Sequence, residues 1–288
     1  MSQPRKASVR AFAKLNLSLA VLYKRADGYH LLQSAFMLID WCDTLHFERR
    51  ADGHISREDL GAPLPDDDLI VRAARALQAA GGAEHGVHIA VQKRIPAQAG
   101  MGGGSSDAAS TLLALNRLWG LGLTRSQLAA IGLQLGADVP FFIHGGNAWV
   151  EGVGEHMQPL ALPAARFVVL KPPAGLDTGS IFCAPDLKRD SEPATISGFA
   201  ANPYGFGHND LQPVAERLCP SVRQGVELLS QCGLQGRMTG SGSAVFAQLA
   251  HEALPAFSAS NWAPAGWQAR VCGNLQVHPL VGWAWRDK

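Results

Sequence analysis

Apolar and polar positions alternate early in the chain. The segment NLSLAVLY, residues 16 to 23, places apolar side chains at every second position, with a loose period of two. Successive side chains of a strand point to opposite faces, so this period predicts a strand. The same alternation returns at Val87, Ile89 and Val91. Both segments are therefore predicted strands.

A helical spacing of apolar residues lies between these strands, in the segment DDDLIVRAARALQAAGG. Its acidic start suits the positive end of a helix dipole, and Gly81-Gly82 predicts its end. Further helices are predicted after a glycine-rich loop and in SQLAAIGLQLG and SVRQGVELLSQCG, and a strand in AVFAQL. Because strands and helices intermix, we expect a mixed α/β or α+β fold. The apolar positions of the first helix are Leu69, Ile70, Ala73, Ala74 and Leu77.

The clearest break in composition is the segment PLALPAARFVVLKPPAG, in which prolines flank a short predicted strand. A chain of 288 residues suits one large domain or two modest ones. We place a boundary near residue 160 and expect one domain over residues 1–160 and a second over residues 161–288.

Composition excludes several classes of function. The net charge is +1, which gives no electrostatic case for nucleic acid or an anionic membrane as the main partner. The longest uncharged stretches contain prolines and polar residues, so no membrane-spanning helix is expected, and the basic N-terminal segment does not resemble a signal peptide. The five cysteines are scattered, which is typical of free thiols in a reducing cytosol. A cytoplasmic protein is expected.

The segment from Gly100 to Gly104 carries only one side chain, that of Met101, and precedes an apolar helix. Glycines let a backbone approach an anion closely, and a helix start adds unpaired N–H groups and a positive dipole end. The pattern favours a phosphate-binding loop. The alternative is a tight turn whose helix is capped by Ser105 or Ser106. Neither the Walker pattern nor the dinucleotide pattern Gly-x-Gly-x-x-Gly fits it.

Two charged residues stand in apolar surroundings. Asp138, in LGADVPFF, is either a catalytic carboxylate or the N-cap of a helix that starts at Val139-Pro140. Lys14, in FAKLNLSL, either extends outward to solvent or pairs with a carboxylate. The residues alone leave both choices open. Asn16 would share the strand face of Lys14.

Three ordered motifs resemble those of the GHMP kinase superfamily, named for galactokinase and the homoserine, mevalonate and phosphomevalonate kinases. They are AKLNLSL at residues 13–19, the glycine-rich loop, and MTGSGSAVFA at residues 238–247. The segments RADGYH, DDDLIVRAARAL, LGADVPFF and HNDLQPVA resemble the members that phosphorylate diphosphocytidyl-methylerythritol on the non-mevalonate route to isoprenoids. The resemblance implies a GHMP kinase fold, with a ribosomal-protein-S5-like N-terminal domain, a ferredoxin-like C-terminal domain and an active site between them.

The resemblance also implies roles for individual residues. Asp138 would be the base that accepts the substrate hydroxyl proton, Lys14 would pair with it beside the reacting oxygen, and Asn16 would bind substrate. Tyr29 would stack on cytosine and His30 would bind the edge of the base, although DGYH alone reads as an ordinary turn. The remaining substrate-binding residues implied are Thr178, Phe182, Gly240 and Gly242. Phe182 could equally be a core residue.

The nucleotide end departs from the family pattern. Asp68 stands where the family has an asparagine near adenine, and an ionised aspartate cannot donate a hydrogen bond. Met101 replaces a more usual leucine, a mild change. The ATP-binding residues implied are Asp68, Leu69, Lys93, Pro96, Ala97, Gln98, Ala99, Gly100, Met101, Gly102, Gly103, Gly104, Ser105 and Ser106.

The reaction implied is transfer of a phosphoryl group from ATP to the 2-hydroxyl of a cytidyl substrate. Mg²⁺ is expected to arrive with ATP, with Ser105 or Ser106 as a candidate ligand, and the chain predicts no metal site of its own. A monomer or weak homodimer acting on a small molecule is expected. Two alternatives remain: a homoserine- or mevalonate-type kinase, and a non-catalytic nucleotide sensor on the same fold.

Overall fold

A computed structural model describes residues 5–250, 262–285 and 287 of the chain. Its first sheet has six strands in the order β3-β4-β2-β5-β6, with β1 paired to β2. Only β3 and β4 pair in parallel. The long strand β2 is the centre of this sheet, because it pairs with β1 over most of its length and also with β4 and β5. The strands are β1 (Lys6–Lys24), β2 (His30–Arg50), β3 (Ile55–Asp59), β4 (Gly86–Gln92), β5 (Ala148–Gly152) and β6 (His156–Pro159).

The second sheet is antiparallel and has four strands in the order β10-β7-β9-β8. These strands come from the later part of the chain, and the first of them is the strand predicted between the flanking prolines. The strands are β7 (Arg166–Lys171), β8 (Arg237–Met238), β9 (Val245–Leu249) and β10 (Gln268–Gly273). Strands predicted at residues 16 to 23, at Val87 to Val91 and in AVFAQL are confirmed as parts of β1, β4 and β9.

Helices lie along both sheets, and the predicted ones are confirmed. Helix α1 begins after Asp68, whose side chain accepts a hydrogen bond from the Val71 N–H, and ends at Gly82 in the left-handed conformation. The helices are α1 (Leu69–Gly81), α2 (Gly103–Trp119), α3 (Arg125–Leu135), α4 (Val139–His144), α5 (Thr178–Cys183), α6 (Ile196–Ala200), α7 (Gln212–Leu218) and α8 (Pro220–Gln231). The mixed class of fold is confirmed.

The two sheets share part of their hydrophobic core. One buried cluster joins Leu15, Met37 and Trp149 of the first sheet to Phe167 and Phe246 of the second. A second cluster lies between the first sheet and helices α1, α2 and α4. The strands of the first sheet precede residue 160 and those of the second sheet follow it. The division into two domains stays a prediction, because one hydrophobic core includes residues from both sides of this boundary.

Two expectations from composition have structural counterparts. The described part of the chain holds no helix that is both long and apolar enough to cross a bilayer. All of the cysteines are described and none forms a disulfide.

Candidate active site

One cleft of about 1350 Å³ is lined by the first sheet, by the N-terminal ends of α1 and α2, and by α5 and the loop that follows β8. Almost every residue singled out in the sequence lines it. Ser106 does not, because its side chain is buried. The singled-out residues that line the cleft are Lys14, Asn16, Tyr29, His30, Asp68, Leu69, Lys93, Pro96, Ala97, Gln98, Ala99, Gly100, Met101, Gly102, Gly103, Gly104, Ser105, Asp138, Thr178, Phe182, Gly240 and Gly242.

Lys14 and Asp138 form an ion pair in this cleft. Lys14 Nζ lies 3.4 Å from Asp138 Oδ2, with the lysine side chain only 4% exposed and the aspartate 33% exposed. The ammonium also lies 4.3 Å from the ring centroid of Phe36. Lys14 therefore points inward rather than to solvent. Asp138 occupies the N-cap position of α4, but its side chain makes no capping hydrogen bond. The carboxylate is left facing Lys14 and the cleft.

Asn16 connects this pair to the rest of the site. Its side-chain oxygen accepts a hydrogen bond from Lys14 Nζ, and its amide nitrogen donates to Ser34 Oγ at 2.8 Å. Its backbone N–H donates to Thr239 Oγ1 at 2.9 Å, which links β1 to the third motif. Asn16, Ser34 and Thr239 are all buried. A buried, satisfied polar network of this kind holds its members in one arrangement.

The glycine-rich loop is fastened to both other motifs by backbone hydrogen bonds. Lys14 N–H donates to the Met101 carbonyl at 3.0 Å. On the other side, Ser243 N–H donates to the Gln98 carbonyl at 3.1 Å and Ala244 N–H to the Ala99 carbonyl at 3.2 Å. The three motifs, distant in sequence, thus meet at one place.

The loop leads directly into helix α2, and its geometry leaves the helix start open. Gly100 and Gly102 have φ values of 70° and 68°, a region that favours glycine. Gly102 is the N-cap and offers no side-chain hydrogen bond, so the first N–H groups of the helix have no intrahelical or capping partner. The alternative in which Ser105 or Ser106 caps this helix is wrong. Ser105 lines the cleft, whereas Ser106 Oγ is buried without a partner.

The third motif crosses the loop at close range. A Cβ atom at Gly240 would lie 2.7 Å from the Gly100 carbonyl oxygen and 3.2 Å from Asn16 Oδ1. A Cβ atom at Gly242 would lie 2.7 Å from Met238 Sδ. Real Cβ atoms essentially never lie 2.7 Å from a backbone oxygen, and both glycines have positive φ values of 53° and 80°, so these positions favour glycine. Gly240 allows the two backbone segments to touch, as does Gly100, where a Cβ atom would lie 2.2 Å from the Thr239 carbonyl oxygen.

Lys93 is held by two buried carboxylates behind the loop. Its ammonium pairs with Asp43 and Asp107, whose side chains are 0% and 2% exposed. Burial alone would lower the pKa of Lys93, but the Asp107 and Asp43 charges outweigh it and raise that pKa. Burial raises the pKa of Asp107, against the opposing charge of Lys93. Asp43 also accepts hydrogen bonds from the Arg94 and Ile95 N–H groups, which fixes the chain entering the loop.

Asp68 has a second function besides capping α1. Its carboxylate forms an ion pair with Arg57, whose Nη1 lies 2.8 Å from Asp68 Oδ1. Arg57 is only 8% exposed and also binds the Asp59 carboxylate and the carbonyls of Leu64 and Pro65. The aspartate at this position is therefore matched by a buried arginine.

Aromatic side chains gather at the other end of the cleft. The rings of His30 and Phe182 lie 5.1 Å apart with an angle of 33° between them. Tyr29, beside His30, is 63% exposed and lines the same end of the cleft. Thr178 Oγ1 lies 2.7 Å from Ser241 Oγ, so the start of α5 touches the third motif.

Several residues of the site were missed by sequence reasoning. Asp43, Arg57 and Arg189 support Lys93, Asp68 and His30 respectively, but they lie in segments with no recognisable pattern. Asp107 was also missed, but the sequence could have revealed it. It closely follows the glycine-rich loop, and a carboxylate on an apolar helix face needs a partner. The others become visible only when the chain is folded.

Comparisons with known proteins place this geometry in a family. The model described as "GHMP kinases N terminal domain" matches residues 68–146, and that described as "GHMP kinases C terminal" matches residues 194–262. A homoserine kinase from Cytophaga hutchinsonii shares the fold, with a TM-score of 0.69 and 16% identity over 96% of this chain and 97% of that one. The chain is a phosphotransferase of the GHMP kinase superfamily, which confirms the expected fold.

Relatives of higher sequence identity show which family within the superfamily this chain belongs to. A protein of Albidiferax ferrireducens is 65% identical over 96% of this chain and 94% of its own length, and one of Paracidovorax citrulli is 67% identical over 94% and 95%. Both are called 4-diphosphocytidyl-2-C-methyl-D-erythritol kinase. A crystal structure of a 4-(cytidine 5'-diphospho)-2C-methyl-D-erythritol kinase superposes with a TM-score of 0.79 at 35% identity, covering 93% of this chain and 99% of the other. The chain belongs to the 4-diphosphocytidyl-2-C-methyl-D-erythritol kinase family.

Proposed function

We propose that this protein transfers the γ-phosphoryl group of ATP to the C2 hydroxyl of 4-diphosphocytidyl-2-C-methyl-D-erythritol. The products are ADP and the 2-phosphate, an intermediate of isoprenoid precursor synthesis by the non-mevalonate route in the cytoplasm. The observation that carries the proposal is the arrangement of the cleft. The Lys14–Asp138 pair, the open start of α2 and the aromatic rings of His30 and Phe182 all line this one cleft.

Asp138 acts as the general base in this proposal. Its carboxylate accepts the proton of the C2 hydroxyl as the oxygen attacks the γ-phosphorus and the bond to the β-phosphate oxygen breaks. Lys14, paired with Asp138 and fixed by Asn16, stabilises the negative charge that develops on the attacking oxygen. Phosphoryl transfer depends mostly on positioning and electrostatics, so a rigid pair of this kind suffices.

The start of α2 holds the phosphates. Its unpaired N–H groups after Gly102 and its positive dipole end attract phosphate oxygens. Mg²⁺ fits the same place, because it binds substrate phosphates with one or two protein oxygens, and Ser105 offers a hydroxyl there. When bound, the ion neutralises phosphate charge. Among the described residues, no group of three metal-ligating side chains competes for it.

The aromatic end of the cleft suits a pyrimidine. Tyr29 and Phe182 provide faces for stacking, and His30 provides a ring nitrogen for the edge of the base. A homoserine or mevalonate kinase would instead require a dedicated cation for the carboxylate of its substrate. The aromatic group favours the cytidyl substrate over both.

The test measures ADP release by the purified protein with Mg-ATP and each of three acceptors. We expect turnover with the cytidyl substrate and none with homoserine or mevalonate. Turnover with another acceptor would support the assignment as a kinase but would contradict the proposed cytidine-binding pocket. ATP binding measured by calorimetry, combined with no turnover of any acceptor, would favour a nucleotide sensor instead.

A further inference from the structure

The side chain of Arg189 has all of its nitrogens engaged at the aromatic end of the cleft. Its Nη2 donates to the carbonyls of Phe182 at 3.0 Å and Ala184 at 2.7 Å, and its Nη1 donates to the Leu187 carbonyl at 3.0 Å. Its Nε lies 3.1 Å from His30 Nε2. The guanidinium is thereby fixed by the backbone that ends α5, and it points one N–H at the histidine ring.

This contact determines where His30 carries its proton. A guanidinium can only donate hydrogen bonds, so His30 Nε2 must accept one and cannot carry a proton. A neutral imidazole has one N–H, which must then be on Nδ1. His30 lines the cleft, and its Nδ1 has no protein partner in the described part of the chain. The ring therefore offers a donor, not an acceptor, to a ligand.

We propose that Arg189 is a positioning residue that fixes His30 as the neutral tautomer with a proton on Nδ1, and so makes the base site selective for cytosine over uracil. The proposal rests on the proposed function. Cytosine presents two adjacent acceptors, O2 and N3. Uracil presents O2 beside an N3–H donor, which would face the Nδ1–H donor of His30. A buried donor that meets another donor loses its hydrogen bond, and such mismatches give strong discrimination.

Electrostatics support the neutral ring. Burial lowers the pKa of His30 below its usual value, and the positive charges of Arg189 and Lys24 lower it further. A lowered pKa favours the uncharged ring that the proposed tautomer requires.

The same arginine also orders the stacking partner of the base. Phe182 belongs to α5, and its own carbonyl accepts from Arg189 while its ring lies 5.1 Å from the His30 ring. One side chain therefore sets both the donor direction of His30 and the position of Phe182. Loss of Arg189 is expected to weaken binding of the base without touching the Lys14–Asp138 pair.

The first test needs no variant that weakens the fold. Histidine-labelled wild-type protein is examined by ¹⁵N NMR at pH 7.5, with the His30 signals assigned by their absence in His30→Gln. We expect the proton on Nδ1 and an unprotonated Nε2. A proton on Nε2, or a charged ring at this pH, would overturn the proposal. Because this measurement does not depend on turnover, it separates failure of the tautomer assignment from failure of the proposed function.

The second test uses Arg189→Met in kinetic assays with the cytidyl substrate and its uridine counterpart. We expect KM for the cytidyl substrate to rise at least 10-fold, kcat to change less than 3-fold, and discrimination between the two bases to fall at least 10-fold. Arg189→Lys keeps a charged donor and should recover part of the selectivity, and it replaces the methionine variant if that variant does not fold. Arg217→Met, which removes an exposed arginine paired with Asp186, is the matched control. Unchanged selectivity in both Arg189 variants would overturn the proposal.

Discussion

The ammonium of Lys14 lies 3.4 Å from the carboxylate of Asp138, although one residue belongs to the first strand and the other to the start of α4. Lys14 is nearly inaccessible to solvent, whereas Asp138 faces the cleft. A buried lysine is stable only beside an opposite charge, so the pair is held together by the cost of leaving either charge alone. This geometry puts a proton acceptor and a fixed positive charge side by side.

We predict that Asp138→Asn lowers kcat by at least 100-fold while the protein stays folded. The reason is that a positioned general base typically contributes about 10²–10⁴-fold, and an amide cannot accept the proton. Lys14→Met should cause a comparable loss, and the double variant should lose much less than the product of the two, because the residues act as a unit. The measurement is steady-state kinetics.

Asp186→Asn is the matched control for this prediction, since it removes an exposed carboxylate from a surface ion pair with Arg217. Its kcat should equal that of the wild type. An Asp138→Asn enzyme within a few-fold of wild type would remove Asp138 from the role of base.

We predict that Gly240→Ala abolishes most activity, because its new methyl group would lie 2.7 Å from the Gly100 carbonyl and force the third motif away from the loop. Gly233→Ala is the matched control: its φ is also positive, at 74°, but nothing lies within 4 Å of its Cβ position. That control should lose only roughly 1–3 kcal/mol of stability to backbone strain. Equal kcat/KM values for the two variants would show that the close approach is unimportant.

We predict that Tyr29→Ala raises the KM for the cytidyl substrate and leaves kcat with a saturating substrate nearly unchanged. Stacking on a base is worth about 1–3 kcal/mol, which corresponds to roughly a 5- to 150-fold change in affinity. Tyr29→Phe keeps the ring and should behave as the wild type. Because Tyr29 is 63% exposed, neither variant should change the unfolding midpoint. If Tyr29→Ala had the same KM for the cytidyl substrate as the wild type, the base would not stack on Tyr29.

We predict that Lys93→Met destabilises the protein by about 3–5 kcal/mol, the usual cost of removing one partner from a buried ion pair. The variant leaves the carboxylates of Asp43 and Asp107 facing each other without the charge between them. Adding Asp107→Asn to Lys93→Met should recover part of the loss. Urea unfolding measures both. A destabilisation that the second substitution does not reduce would contradict the electrostatic explanation.

We predict a loss of stability in mild acid that traces to His278. Burial lowers the pKa of this histidine to about 4 from its usual 6.5. The unfolded chain therefore takes up a proton as the pH falls through 6.5, while the folded protein resists protonation until about pH 4. Stability is fully present above pH 6.5 and falls by up to about 1.4 kcal/mol per pH unit below it.

In the wild type, the Leu280 N–H donates a hydrogen bond to His278 Nδ1. His278→Asn removes the titrating ring but keeps a side-chain oxygen that can accept this hydrogen bond. The free energy of unfolding, measured in urea at pH 7 and pH 5, should fall less in the variant than in the wild type. Identical losses in the two proteins would assign the acid sensitivity to other groups.

The sequence was enough for those parts of the protein that local patterns encode. Periods of two and of 3.6 residues identified β1, β4, α1 and the later helices, because local hydrophobic spacing decides which face of an element is buried. The glycines at 100, 102, 240 and 242 were identifiable because only glycine tolerates their backbone geometry and close contacts. The family resemblance added the division of the site residues into those that bind ATP and those that bind the substrate.

Only the tertiary structure decided which partners those residues meet. Whether Asp138 capped α4 or paired with Lys14 depended on how that helix lies against the first strand. Ser105 and Ser106 are adjacent in sequence, and the direction of α2 turned one to the cleft and buried the other. Arg57 and Arg189 support Asp68 and His30 from distant segments. Such pairs depend on packing between distant parts of the chain, and a single sequence carries no local signal of which distant residues will touch.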